Sequence, residues 1–145
     1  MDILGLPLHP LVVHAAVVLV PLAALGTLVI ALSARARKRY GSLVALGSVV
    51  AFGSVIGARV TGEDFAGTTT GEGALGTHMY WGLLAPWPTA ALAVTSILLA
   101  LAGRGNSRPL ILATGILAVL SALASLAVVV LVGHSGATAV WGAQA

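Results

Sequence analysis

Four long runs of apolar residues, separated by short polar segments, dominate the pattern of hydrophobic and polar positions along the chain. They cover residues about 6–33, 42–60, 78–102 and 109–132. A helix needs about 20 predominantly apolar residues to cross a bilayer, and all four runs meet that length. The pattern therefore predicts an all-α integral membrane protein, a four-helix bundle that forms a single membrane domain over residues 1–145.

The polar segments between the runs predict the orientation of the bundle. Six of the seven basic residues lie in the first–second and third–fourth connections: Arg35, Arg37, Lys38, Arg39, Arg104 and Arg108. Short basic loops stay in the cytoplasm. The loop 61–77 carries three of the four acidic residues, and a small-residue tail covers 133–145. We therefore expect a multi-pass protein of the bacterial cytoplasmic (inner) membrane, with both termini and the loop 61–77 extracytoplasmic.

The composition supports the membrane class and excludes several functions. The chain is 59% hydrophobic and 8% charged, with a mean hydropathy of +1.07, whereas soluble domains carry roughly 25% charged residues. Its sequence pI of about 10.2 reflects the topology-determining basic loops, so no nucleic-acid binding is expected. The absence of cysteine excludes disulfides, thiolate metal sites and covalent haem attachment. With no hydrolase or metalloprotease motif, we expect no catalysis of its own.

All four histidines fall at the predicted extracytoplasmic end of the bundle. His9 and His14 begin the first helix, His78 begins the third and His134 ends the fourth. Ionisable groups in or beside membrane helices are costly to keep, so such a cluster indicates a functional site. Imidazoles from different helices of a bundle can supply both axial ligands of a haem iron.

Helix geometry ranks the four histidines. Pro10 suits the first position of a helix, so His9 is expected at the N-cap. His14 lies about 6 Å deeper, and its side chain points about 140° away from that of His9. Glycines flank His134, and they either admit a large flat group or simply end the helix. We favour His14 with His134 as the ligand pair and His78 as the substitute, with His9 either a further ligand or a residue that faces the headgroups.

Arg59 is the one basic residue at the histidine end, and two interpretations of it stay open. It could form an ion pair with Glu63 one turn later, or with Asp64. Alternatively, its guanidinium could bind the propionates of a haem, because guanidinium binds carboxylates bidentately. In that case nearby threonines could contribute hydrogen bonds: Thr61, Thr68, Thr69 and Thr70.

Both ends of the chain resemble one family. The opening GLPLHPLVVHAAVVLVPLA, with its H-P-x-x-V-H core, and the closing LVGHSGATAVWG resemble bacterial membrane proteins catalogued as domain of unknown function 2231. The likeness extends over the four-helix layout. Relatives occur fused to or beside Rieske-type and cytochrome-type redox modules, so the resemblance implies membrane electron transfer and a haem. His9 and His14 match the first motif and His134 the last, whereas His78 matches only by its place at the third helix.

Three functions are compatible with these features of the sequence. The favoured one is a small b-type cytochrome that binds haem b near the extracytoplasmic leaflet and exchanges electrons with a quinone or a redox partner. The second is a non-haem site, in which His14, His78 and His134 bind or transport Cu, Zn or Fe. A transported cation would need polar groups at the midplane, where the apolar runs show almost none. The third is a structural accessory subunit of a membrane redox complex. A homo-oligomer is compatible with all three.

Overall fold

Four helical segments long and apolar enough to cross a membrane make up nearly all of the protein. A computed structural model describes residues 2–3, 6–66, 73–105 and 107–142. Two short strands, β1 (Asp2–Ile3) and β2 (Leu6–Pro7), pair antiparallel before five helices: α1 (Leu8–Leu32), α2 (Ala34–Ala66), α3 (Ala74–Leu84), α4 (Pro86–Gly105) and α5 (Arg108–Trp141). Helices α3 and α4 together form the third crossing. The predicted all-α membrane bundle is confirmed, and β1 and β2 are an addition to it.

Helices α2 and α5 extend beyond the apolar runs. α2 begins at Ala34, inside the basic segment, and α5 continues to Trp141. Hydropathy marks the part of a helix that lies in hydrocarbon, whereas a helix continues into the interface as long as its residues favour helical backbone, as Arg, Lys and Ala do. Residues 61–66 and 74–77 of the expected loop, and 133–141 of the expected tail, are also helical, although they contain several Gly, Thr and Ser residues of lower helix propensity.

A single residue, Ser33, connects α1 to α2. Its hydroxyl accepts a hydrogen bond from the Ala36 N–H at 3.2 Å, as an N-cap residue does. The Arg37 guanidinium reaches back and donates to the carbonyls of Ile30 and Ala31 at 2.8 and 3.2 Å. These carbonyls belong to the last turn of α1, where carbonyl oxygens have no N–H donor within the same helix. The first hairpin is therefore closed at its basic end by side-chain hydrogen bonds.

The third crossing is interrupted at Ala85. Pro86 and Pro88 have no N–H, so they cannot donate to the carbonyls one turn earlier, and their rings crowd that turn. Ala85 keeps helical dihedral angles (φ −55°, ψ −35°), and its N–H donates to the Trp81 carbonyl. Ala85 thus keeps helical geometry at the interruption, but α3 packs mainly on α5, whereas α4 packs on both α2 and α5.

The helices form a ring in which α1 packs on α2 and α5, and α4 packs on the same two helices from the opposite side. The interior is built largely from small side chains, while large apolar side chains such as Leu22, Leu43 and Val130 are exposed on the outside. Small interior residues let membrane helices approach closely where lipid offers no hydrophobic drive for association. The exposed apolar surface is the surface that contacts the lipid bilayer.

Hydroxyl groups connect all four crossings at the centre of the bundle, where the apolar runs suggested an almost wholly aliphatic interior. The Ser96 hydroxyl of α4 lies 2.8 Å from Thr27 Oγ1 of α1 and 3.2 Å from Ser48 Oγ of α2. The neighbouring Thr95 lies 2.8 Å from Ser121 Oγ of α5. Each hydroxyl also lies within hydrogen-bonding distance of a carbonyl of its own helix, so no polar group at this centre is left unsatisfied.

Replacing Ser96 with Ala is expected to lower the free energy of unfolding in detergent by about 1 kcal/mol. It removes two interhelical hydrogen bonds, which contribute about 0.6 kcal/mol each in membrane proteins. Ser54→Ala is the matched control, because the Ser54 hydroxyl donates to Ala51 of its own helix, and we expect little change. Equal effects of the two substitutions on a denaturant titration would show that the interhelical bonds contribute nothing measurable.

Candidate functional site

A cavity of about 490 Å³ lies at the histidine end of the bundle, the end that contains His9, Arg59, His78 and His134. Its lining comes from α1, α2, α3 and α5 and is mostly apolar, and its charged or titratable members are His9, Arg59, Glu63, His78 and Tyr80. Small-molecule and cofactor sites usually measure roughly 300–1,000 Å³ and have this mixture of apolar walls and a few polar groups. The cavity is therefore the candidate binding site.

The break at Ala85 explains why the cavity exists. After Ala85, α4 packs on α2. Before Ala85, at the histidine end, α3 packs on α5 and hardly contacts α2. The space between α2 and α3 stays open. Ala16, Val55 and Ala85, which are all buried, form part of its lining. A straight third helix packed on α2 would fill this space.

His9 is held against the last turns of α2. Its Nδ1 lies 3.1 Å from the Ala58 carbonyl oxygen and 3.2 Å from Thr61 Oγ1. The ring also lies directly on Gly62, where an added Cβ would approach His9 Cε1 to 2.9 Å. Real Cβ atoms do not come that close, so the ring position depends on glycine at residue 62.

His78 is held against α5 in the same way. Its Nδ1 lies 3.0 Å from the Val132 carbonyl oxygen and 3.5 Å from Ser135 Oγ. A Cβ added at Gly136 would come within 3.1 Å of both Cε1 and Nδ1 of His78. The side chain is half-buried and, like that of His9, lines the cavity.

The two histidine seats have the same design. Each seat is a carbonyl, a hydroxyl residue three positions later, and a glycine directly after it: Ala58, Thr61 and Gly62 on α2, and Val132, Ser135 and Gly136 on α5. In each seat the hydroxyl donates to carbonyls of its own helix, so it can accept from the imidazole. The first hairpin supplies one complete histidine and seat, and the second hairpin supplies the other.

The seats determine the tautomer of both rings. A carbonyl oxygen only accepts hydrogen bonds, so the Nδ1 of His9 and of His78 must carry the proton and donate. In a neutral imidazole the other nitrogen, Nε2, then carries the lone pair. Backbone carbonyls hold metal-binding histidines in this way and fix the orientation of the ring. In its neutral form, either histidine held in this way has its lone pair on Nε2, the atom through which such a ring binds a metal.

His14 and His134, the pair favoured from the sequence, are both exposed, and neither lines the cavity. The Nδ1 of His14 bonds to the Pro10 carbonyl of its own helix, and the His134 carbonyl accepts from Thr138. The turn of about 140° between His9 and His14 separates an inward position from an outward one. The greater depth of His14 along the helix axis does not make it face inward. The direction of a side chain depends on its rotation around the axis, which is independent of its depth.

Arg59 lies at the cavity and forms the ion pair that one of its two sequence interpretations proposes. Its Nε donates to Glu63 Oε1 at 2.9 Å, and both side chains are substantially exposed. Exposed pairs of this kind contribute about 0–1 kcal/mol. Arg59 can therefore exchange Glu63 for another carboxylate at little cost in free energy. Thr61 belongs to the His9 seat, whereas Thr68, Thr69 and Thr70 lie outside the described residues.

The described residues contain no group of three or more His, Asp or Glu side chains arranged to hold a metal ion. The cavity brings together His9 and His78 with one carboxylate, Glu63, which is already paired with Arg59. Nothing in this part of the chain supports a zinc-like site of three or four protein ligands.

The residues that sequence reasoning did not assign to the site are mainly Ser135, Gly136 and Gly62. The signal that could have found them is a hydroxyl residue followed by glycine near the end of both the second and the fourth helices, Thr61-Gly62 and Ser135-Gly136. Because each pair stands where an inward-facing histidine crosses a neighbouring helix, its meaning depends on the packing of the helices. The pattern alone is too short to indicate a site.

Comparison with known proteins gives one match. A family model described as "Predicted membrane protein (DUF2231)" matches residues 5–145. Searches of the curated proteins and of the solved structures found no significant match.

Gly62→Ala is expected to move the His9 ring off its seat, because the added Cβ overlaps the ring, and so to break the Nδ1 hydrogen bond. The change can be followed by ¹⁵N NMR of labelled histidine, in which the Nδ1–H pattern of His9 should be lost while that of His78 remains. Gly136→Ala should have the reverse effect. Gly47→Ala is the control, because a Cβ there has no neighbour within 4 Å. Unchanged histidine spectra in all three variants would contradict the proposed contacts of His9 with Gly62 and of His78 with Gly136.

Proposed function

The chain belongs to the DUF2231 family of predicted membrane proteins, and we propose that it is a small membrane b-type cytochrome whose haem is bound between His9 and His78. The single observation that carries this proposal is the pair of equivalent histidine seats on one apolar cavity. Two histidines from different helices, each held as the Nδ1–H tautomer, are the donor set that a six-coordinate haem requires.

The donor set fits a haem better than another metal. A bis-histidine haem needs only two protein ligands, since the porphyrin supplies the other four. A bare zinc or copper ion needs three or four ligands from the protein, and the described residues offer no such group. Two imidazoles are therefore sufficient for a haem, whereas the described residues provide no third ligand for the non-haem alternative.

The cavity also suits a large flat apolar group. Its volume of about 490 Å³ lies in the range of cofactor sites, and its walls are mostly aliphatic. Glycines line it on α3 at Gly76 and Gly82, where side chains would otherwise occupy the space. Helix bundles commonly build cofactor sites in such places from facing side chains.

Arg59 is the candidate partner for the carboxylate groups of the ligand. Haem b carries two propionates, and a guanidinium binds carboxylates through two parallel hydrogen bonds. Arg59 lines the cavity at its exposed side, and its pairing with Glu63 is weak enough to be exchanged. Arg59 would thus hold the propionates of the group, and the apolar lining would hold its ring.

A bound haem would supply one iron that takes up and releases a single electron. The protein would hold that iron between two fixed imidazoles and exclude water with its apolar lining, so that electrons pass to a lipid-soluble quinone or to a redox protein at the membrane surface. The proposal puts the cavity at the extracytoplasmic leaflet of a bacterial cytoplasmic membrane, and the basic connections at the other end support this orientation. A structural role beside a larger redox complex is compatible with this activity.

The absorption spectrum of protein purified after expression with haem supplied tests the proposal. We expect the Soret and α bands of a low-spin b-type haem. His9→Ala and His78→Ala should each reduce haem occupancy by at least about tenfold, since even the loss of a supporting partner has an effect of that size. His14→Ala and His134→Ala are matched controls that remove an exposed histidine from the same end, and both should keep the spectrum.

Two outcomes would overturn this assignment. A colourless wild-type protein would exclude the haem, and metal analysis would then test the non-haem alternative. A spectrum lost in His14→Ala and His134→Ala but kept in His9→Ala and His78→Ala would move the ligands to the outward-facing pair.

Gly82→Leu is expected to block the cavity while leaving the fold intact. Gly82 lines the cavity, and a Cβ added there has no neighbour within 4 Å, so the new side chain meets open space. Gly53→Leu is the control, because Gly53 has equally open surroundings on α2 but does not line the cavity. Haem occupancy should fall only in Gly82→Leu, and an equal fall in both variants would mean that the cavity is not where the haem binds.

A further inference from the structure

The opposite end of the bundle carries a second surface with a distinct chemistry, which we call the basic cluster: Arg35, Lys38 and Arg39. The three residues stand at i, i+3 and i+4 near the start of α2, so they share one face of the helix. All three are exposed, and together with Ala34 they line a shallow pocket. Three cations thus converge on one small concave surface.

Two of the three other basic side chains at this end, Arg37 and Arg104, are used within the protein. Arg37 donates to the carbonyls of Ile30 and Ala31 and packs against Gly103. Arg104 donates to the Ser42 hydroxyl at 2.8 Å. In contrast, the Arg39 guanidinium rests 5.4 Å from the centre of the Tyr40 ring, a contact that orients the charge without neutralising it.

No acidic residue of the chain lies near the basic cluster in sequence. The four acids are Asp2, Glu63, Asp64 and Glu72, and the two within the helices, Glu63 and Asp64, stand near the end of α2 at the histidine end. The protein therefore does not supply a counter-ion for the cluster from its own helical segments at this end. An anionic partner for the cluster would therefore come from outside the described helices.

An exposed apolar stripe continues from the basic cluster along the same face of α2. Leu43, Leu46 and Val50 follow Arg39 at intervals of four, three and four residues and are 67%, 62% and 51% exposed. From Arg39 to Val50 the helix rises by roughly 16 Å, about half of the ~30 Å hydrocarbon core. Cations at the interface followed by an apolar stripe one leaflet long match the shape and polarity of one phospholipid.

We propose that the basic cluster and this stripe form a binding site for a single anionic phospholipid, whose phosphate contacts Arg35, Lys38 and Arg39 and whose acyl chain lies along Leu43, Leu46 and Val50. Juxtamembrane cations attract anionic lipids from the cytoplasmic leaflet, and guanidinium binds phosphate bidentately. The site is at the other end of the bundle from the histidine cavity. It does not depend on whether that cavity binds haem.

Native mass spectrometry of the full chain tests the site. The detergent-purified protein is mixed with phosphatidylglycerol and phosphatidylcholine of identical acyl chains, and the retained lipid is counted. We expect phosphatidylglycerol to be retained about tenfold or more over phosphatidylcholine, because three cations contribute together. Lys38→Gln and Arg39→Gln should each reduce this preference about fivefold.

Arg108→Gln is the matched control, since it removes one exposed positive charge from the same end but does not line the pocket. Its lipid preference should change by less than about twofold. Equal retention of the two lipids by the wild type would overturn the proposal. So would an equal loss in Arg108→Gln, which would mean that net charge alone attracts the lipid. Displacement of the lipid by millimolar inorganic phosphate would instead assign the pocket to a free anion.

Discussion

In a membrane, every polar group of the protein must find its partner within the protein, because hydrocarbon offers none. This constraint governs both polar features of the bundle interior. At the centre, the hydroxyls of Thr27, Ser48 and Ser96 lie within hydrogen-bonding distance of one another and of backbone carbonyls. At the histidine end, the imidazoles of His9 and His78 bond to carbonyls of neighbouring helices. The same requirement that stabilises the bundle therefore also determines the tautomer of the two rings.

The cavity results from a local loss of backbone hydrogen bonds in the third crossing. Pro86 and Pro88 remove two backbone donors from the third crossing, and α3 departs from the packing of α4. At the centre of the bundle, the helices are held together by small residues and hydroxyls. At the histidine end, α2 and α3 stay apart. The membrane bundle thereby gains a site large enough for a ligand without losing the packing of its centre.

The two ends of the molecule have opposite polar character. The basic end binds its own carbonyls through Arg37 and leaves the basic cluster exposed, while the histidine end contains the acidic side chains Glu63 and Asp64 together with the cavity. The two histidine seats, one from each hairpin, also give the histidine end an approximate internal symmetry that the sequences of the hairpins do not display. A ligand bound between these seats would contact both hairpins through equivalent groups.

The sequence by itself determined the class of the protein, the number of crossings and the end at which the histidines gather. Each of these depends on the order and hydropathy of residues along one chain. An apolar run of sufficient length is enough to predict a crossing of the hydrocarbon core. Only the tertiary structure decided which histidines face inward, because facing depends on how helices rotate against one another. His9 rather than His14 turns towards α2, and His78 meets a seat on α5 that is 54 to 58 residues further along the chain. The seats, like the hydroxyl contacts at the centre, exist only between helices, so no periodicity within one helix could predict them.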